Sequence, residues 1–120
     1  MNDEIKRYVG ASGTSQLDMG GNSNNGLLVG FAIYPNFPNP FNPITQIRYD
    51  LPKNNLVNIS IYDIQGRKIR TLINTNQSVG FHSCYWDSKN DLGAIVAAGV
   101  YIYSIQTGEF KATKKMVLLK

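Results

Sequence analysis

The sequence predicts an all-β fold, an antiparallel β-sandwich of about seven strands, on three observations. Strict apolar/polar alternation recurs in short runs such as "ITQIRYDL" and "LVNISIYD", and a period of two gives each run one face for a core. The runs follow one another at short spacing with turn residues between them, and no segment carries a helical period worth defending. The apolar residues are rich in Tyr, Ile, Val and Phe, which suit a pleated, half-buried surface. Two facing sheets are the economical way to bury so many one-sided strands.

Residues 1–30 read as a flexible linker or the tail of a preceding module, because "ASGTSQLDMGGNSNNGLLVG" is rich in Gly, Ser and Asn with scattered apolar residues. Short strands are expected around Ile5, Tyr8 and Val9, and around Leu27, Leu28, Val29 and Phe31. The sandwich takes 31–120 and opens on the lead-in "YPNFPNPFNP". Pro35, Pro38, Pro40 and Pro43 each fix φ and lack a donor, and each pushes the residue before it towards extended geometry. A stiff, extended approach along a sheet edge follows, with Phe37 and Phe41 tucked into the sandwich and the asparagines bonding nearby backbone.

Beyond the lead-in, Ile47, Tyr49 and Leu51 share one strand face, and after the turn "PKNN" so do Val57, Ile59 and Ile61. Gly66 supplies a positive φ between Tyr62–Asp63 and Arg67–Ile73, which read as the arms of a hairpin. Gly80 opens "FHSCYW", with His82, Cys84 and Trp86 on one face. The loop "DSKNDLGAIVAAG" leads to "VYIYSIQ", a turn at "TGEF" and the last strand, "KATKKMVLLK". In that strand Met116 and Leu118 share one face, and Lys115, Val117 and Leu119 the other.

A chain of 120 residues is enough for one domain with a real core. Its net charge of +4 invites an anionic partner, but only Lys111, Lys114, Lys115 and Lys120 are concentrated, and no motif of a nucleic-acid reader accompanies them. Solvated strand faces and edges account for most of the basic residues. The single cysteine rules out an internal disulfide. No apolar run is long enough to span a bilayer, and "MNDEIKRYVG" lacks the apolar core of a signal peptide. The signal peptide of an exported protein would then lie outside this sequence.

His82 and Cys84 sit two apart on one strand face, roughly 7 Å from each other, too far for the bond that activates a thiol. Cys84 therefore reads as a buried core residue beside Trp86, with His82 more exposed. Asp87, Asn90 and Asp91 are weak candidates for a hard cation, but Asx side chains capping backbone amides explain the same letters. No phosphate loop, acid pair or metal-spaced Cys/His cluster is present, so neither an enzyme nor a cofactor is expected.

The segments "PNPFNPITQIRYDLP", "VNISIYDIQGRKIRTL", "GFHSCYWDSKNDLGAIVAAGVYIYSIQTGEF" and "KATKKMVLLK" closely resemble, in order, the type A C-terminal sorting domain of bacterial type IX secretion substrates, which is related to the immunoglobulin-like module of flagellar hook-capping proteins. The resemblance runs from about Tyr34 to Lys120. It implies an immunoglobulin-like sandwich at the end of a larger exported protein. Such a domain directs its upstream cargo from the periplasm through the outer-membrane secretion machinery to the cell surface or the medium.

Carried over by position, the entry signature falls on Pro38, Asn39, Pro40, Phe41, Asn42 and Pro43, and the basic end on Lys114, Lys115 and Lys120. The hairpin signature falls on Asp63, Gly66 and Arg67 and a later one on Trp86, Asp87, Gly99, Val100 and Tyr101, and the resemblance implies structural roles for Asp63, Gly66, Trp86, Gly99 and Tyr101. Ser88 stands where the family commonly has glycine, and the doubled "PNFPNP" is longer than the usual entry. The kinship with hook-capping proteins allows a second reading, a structural or assembly module making lasting protein contacts.

Overall fold

The computed structural model describes residues 30–120. The expected linker over 1–30, apart from Gly30, and the expected strands at Ile5–Val9 and Leu27–Val29 lie outside the described residues; Phe31 itself directly precedes the first strand. Seven strands follow: β1 (Ala32–Ile33), β2 (Thr45–Leu51), β3 (Asn55–Asp63), β4 (Lys68–Gln77), β5 (Gly80–Trp86), β6 (Gly99–Thr107) and β7 (Phe110–Leu118). They form two antiparallel sheets, one in the order β1-β2-β5 and one in the order β4-β3-β6-β7.

Alternation decides which residues meet between the sheets. From the first sheet come Ile33, Ile47, Tyr49, Leu51, Cys84 and Trp86; from the second, Val57, Ile59, Ile61, Tyr101, Tyr103, Ile105, Met116 and Leu118, all buried. Trp86 has no exposed surface and packs between Phe41, at 5.8 Å between ring centroids, and Tyr101, at 5.2 Å edge-on. Its indole N–H donates to the Lys89 carbonyl at 2.9 Å, so a large buried aromatic leaves no polar atom unpaired.

The hairpin of β3 and β4 turns as its sequence requires. Gly66 adopts φ +85°, and Asp63 caps the turn, accepting from the N–H groups of Gln65 and Arg67 at 2.9 Å each. The Arg67 N–H is the first of the bonds that hold the Asp63 carboxyl below its usual range. The Arg67 guanidinium adds an ion pair at 2.8 Å.

Candidate functional site

The lead-in is not a straight extended approach. It bends at Pro38–Pro40 and again at Asn42–Pro43, and between the bends it passes from one sheet to the other. First it runs beside β2: the Tyr34 N–H donates to the Arg48 carbonyl at 3.0 Å, and Phe37 and Gln46 exchange two backbone bonds at 2.9 Å. Then it runs beside β7: the Phe41 N–H donates to the Val117 carbonyl at 3.0 Å, and the Leu119 N–H to the Phe41 carbonyl at 2.9 Å. The Asn39 side chain extends this second pairing by accepting from the Val117 N–H at 2.9 Å.

Phe41 is buried as expected, but Phe37 is 75% exposed. Phe37 opposes Gln46, and residues directly opposite across a ladder share a face; Gln46 alternates with the buried Thr45 and Ile47, so that face is the outer one. Asn36 takes the inward place instead. Its N–H donates to the Tyr103 hydroxyl at 2.9 Å, and its side-chain amide donates to Thr45 Oγ1 at 2.9 Å and to the Pro38 carbonyl at 3.3 Å. Thr45 also donates to the Pro38 carbonyl, at 2.8 Å. This buried polar node of Asn36, Thr45 and Tyr103 went unnoticed in the sequence; the one signal for it was the hydroxyl carried by Tyr103 on the core face of "VYIYSIQ", which needs a partner when buried.

The basic end does not gather into one patch. Lys115 is exposed on the outer face, opposite Ile102, whereas Lys114 is half-buried on the same side as Met116 and Leu118, opposite the buried Tyr103. Lys120 is exposed beyond the end of β7. The last turn of chain is not an open edge either, because Val117 and Leu119 already pair with Asn39 and Phe41. Among the described residues, the unpaired length of that edge lies further back, along Lys111–Lys115.

Of the entry residues, Pro38, Asn39, Pro40, Asn42 and Pro43 are exposed around the buried Phe41. The Pro43 carbonyl accepts from the hydroxyl of Ser88. Ser88 has φ +66°, the left-handed conformation that glycine enters without strain. The loop therefore keeps the backbone a glycine would give it, and the serine adds a tether to the lead-in. Tyr101, next to Gly99 at the start of β6, donates its hydroxyl back to the Ala97 carbonyl at 2.6 Å, the tyrosine corner of immunoglobulin-type sandwiches.

Asp87, Asn90 and Asp91 each use one side-chain oxygen, Oδ1, on protein donors. Asp87 Oδ1 accepts from Arg70 at 3.0 Å and from the Lys89 N–H at 3.2 Å, and Asp91 Oδ1 accepts from the Thr71 N–H at 3.0 Å with Arg70 Nε at 4.0 Å. Asn90 Oδ1 accepts from the N–H groups of Leu92 and Ala94 at 3.0 Å each. Asp87 and Asp91 stitch the loop to β4, and Asn90 closes the loop on itself. Among the described residues no helix is long and apolar enough to cross a membrane.

The model of the FlgD Ig-like domain matches residues 44–109. Among solved structures, dimeric latent PorU from Porphyromonas gingivalis superposes with a TM-score of 0.59 at 19% identity, covering 77% of this chain and 10% of that one. FlgD from P. aeruginosa gives a TM-score of 0.49 at 26% identity, over 62% of this chain and 58% of that one. PorZ from Porphyromonas gingivalis, described as an essential bacterial surface component of the type-IX secretion system, gives 0.48 at 16% identity, over 76% and 12%. The chain thus spans less than two thirds of each of these proteins, about a tenth of PorU and PorZ. No curated protein matches it. The likeness to PorU is one of fold; the family match covers more than half of the 120 residues and runs from the start of β2 to the turn after β6, and on it the chain belongs to the FlgD Ig-like domain family.

Proposed function

We propose that this sandwich is a C-terminal sorting domain of the type IX secretion kind, which directs an upstream cargo of the same chain from the periplasm through the outer-membrane machinery to the cell surface or the medium. It performs no chemistry itself and uses no cofactor; its partners are the machinery and the cargo. One observation supports this reading above the others. The entry signature and the C-terminal strand, which the resemblance marks as the two ends of the domain, are hydrogen-bonded side by side, Asn39 to Val117 and the Phe41 backbone to Val117 and Leu119. A partner reading that border would therefore sense both ends of one folded domain. The basic Lys115 and Lys120 are exposed near this border.

The test is a graft. Residues 31–120 are the unit to move, because Phe31 stacks on Phe110 at 5.2 Å and β1 starts at Ala32. Fused to a periplasmic reporter in a host with the type IX machinery, the graft should carry the reporter across the outer membrane, and in a host without the machinery it should not. Membership of the FlgD Ig-like family supports the second reading, an assembly module that makes lasting protein contacts. A reporter that stays periplasmic while its graft is folded removes the main support of the sorting reading and puts the assembly module ahead.

A further inference from the structure

The two sheets have four edges between them, and they are closed unequally. β1 is two residues long and runs into the prolines. β7 is paired at Val117–Leu119 and carries Lys111, Lys114 and Lys115 along the rest. β4 is bulged against β3 and is covered at Ile69–Thr71 by bonds to Asp91. Short length, prolines, lysines, bulges and covering loops are the usual devices that keep an edge strand from pairing with another chain. β5 has none of them: "GFHSCYW" contains no lysine or proline, its register with β2 is unbroken, and among the described residues no segment pairs with its outer side.

The ladder shows which groups this open edge offers. Arg48 and Gln46 direct their backbone groups to the lead-in, so the alternate residues Ile47 and Tyr49 direct theirs to β5, where they oppose Cys84 and His82. In an antiparallel ladder the residues between such bonded pairs point away. Phe81, Ser83 and Tyr85 thus turn their N–H and C=O groups outward. Their side chains share the outer face of the sheet, opposite Asp50, Arg48 and Gln46, where Phe81 is 65% and Tyr85 62% exposed.

We propose that β5 is the edge through which two copies of this chain pair, antiparallel about a two-fold axis at Ser83, so that the two three-stranded sheets become one. In this register Ser83 meets the second copy's Ser83, Phe81 meets its Tyr85 and Tyr85 its Phe81, and every outward N–H of the three residues finds an outward C=O. A two-fold contact needs a patch complementary to itself. Aromatic residues spaced equally on either side of Ser83 supply one, and cross-strand aromatic pairs are among the stabilising ones. β5 carries no Asp, Glu, Lys or Arg, so two copies meet without like-charge repulsion. An unrelated extended peptide would close the same backbone groups, but it would give no reason for a ring at both positions.

The area sets the strength. Two rings per copy, each of about 150–250 Å² and mostly exposed, contribute on the order of 500 Å² to the pair, and with the strand edges the interface stays below the roughly 1,200 Å² at which stable complexes begin. The dimer is weak and forms where copies are held close together. This inference is independent of the sorting reading.

Sedimentation velocity of the whole chain from micromolar to millimolar concentration should show a reversible monomer–dimer shift. Ser83→Pro removes an outward N–H without touching the ladder to β2, and it should weaken the dimer by about tenfold or more, as loss of two edge hydrogen bonds implies. Ser83→Cys places two thiols on the axis, where bonded antiparallel partners have Cα atoms about 5.5 Å apart, within the span of a disulfide. It should oxidise to a covalent dimer at least about tenfold faster than Thr113→Cys on the far sheet, a comparison in which both variants carry the same buried Cys84. A chain that stays monomeric at millimolar concentration, or one that dimerises but cross-links through position 83 no faster than through 113, overturns the proposal and leaves the edge to another occupant.

Discussion

The hydroxyl of Tyr103 accepts a hydrogen bond from the backbone N–H of Asn36 at 2.9 Å and donates one to the Tyr34 carbonyl at 2.9 Å. A core side chain of the four-stranded sheet thereby holds the lead-in against the three-stranded one. Burial pushes the Tyr103 phenol up to about 12, so it keeps its proton, and with it the bond to Tyr34, across the neutral range. Tyr103→Phe retains the ring and strands the two backbone groups. It should cost roughly 1–3 kcal/mol in a denaturant melt, the range for leaving buried polar groups unpaired, and speed hydrogen exchange at the Phe37 amide. Unchanged exchange there would mean that the lead-in is held without Tyr103.

Trp86 joins the two sheets and the lead-in, touching Tyr101 and Phe41. Trp86→Ala should lower stability by about 3–5 kcal/mol, a large part of what a domain of this size possesses. Urea midpoints for variant and parent that coincide would contradict the central place given to this side chain.

The Cys84 thiol is raised by burial from an ordinary 9.0 to about 11, so its folded form favours the proton. The contribution is fully present below pH 9 and is lost as pH rises towards 11, where the unfolded chain gains by ionising and the folded one does not. Urea midpoints should fall over this window, and less steeply in Cys84→Ala. A thiol reagent should label native protein slowly and denatured protein at once. Fast native labelling would show a loose β5.

For Asp87, Asn90 and Asp91 the expectation is structural. One oxygen of each already accepts from protein donors, the Arg70 guanidinium, the loop amides and the Thr71 amide, so thermal melts in calcium and in chelator should coincide, whereas a native-state ligand would raise the midpoint. Arg70→Ala should loosen the loop and increase hydrogen exchange at the Thr71 amide, which donates to Asp91. A calcium-dependent rise in the parent midpoint would reassign the carboxylates as ligands.

The strands were legible because each carries its own period: Ile47–Tyr49–Leu51, Val57–Ile59–Ile61 and Met116–Leu118 are all buried as the alternation requires. The lead-in was less legible because its placement depends on partners distant in sequence. Phe37 was expected inside by its hydrophobicity, but pairing with Gln46 turns it outward and gives the inward place to Asn36. The join of Phe41 to Leu118 spans nearly the whole described chain, and no local pattern encodes it. For the basic end the local pattern is sufficient: Lys114 has the parity of Met116 and Leu118 and Lys115 the opposite one, so nearness along the chain does not put them on one face.

The same parity decides how recognition at the basic end can be tested. Deleting Met116–Lys120 would remove two core side chains and the backbone partners of Phe41 and Asn39, so failed export of that variant would report unfolding. Lys115 and Lys120 are exposed, and charge reversals at such positions usually shift stability by less than about 0.5 kcal/mol. The double variant Lys115→Glu, Lys120→Glu should therefore melt like the parent yet export a grafted reporter several-fold less. Lys114→Glu, half-buried opposite Tyr103, should lower both melting temperature and export. Asn39→Ala frees the Val117 N–H and removes one of the three bonds that join the lead-in to β7, for about 1 kcal/mol of stability, and should reduce export beyond what its melt explains. If the doubly reversed variant exports normally, the machinery does not read the basic end; if Asn39→Ala also exports in proportion to its folded fraction, the joined border of lead-in and β7 is not the recognised surface.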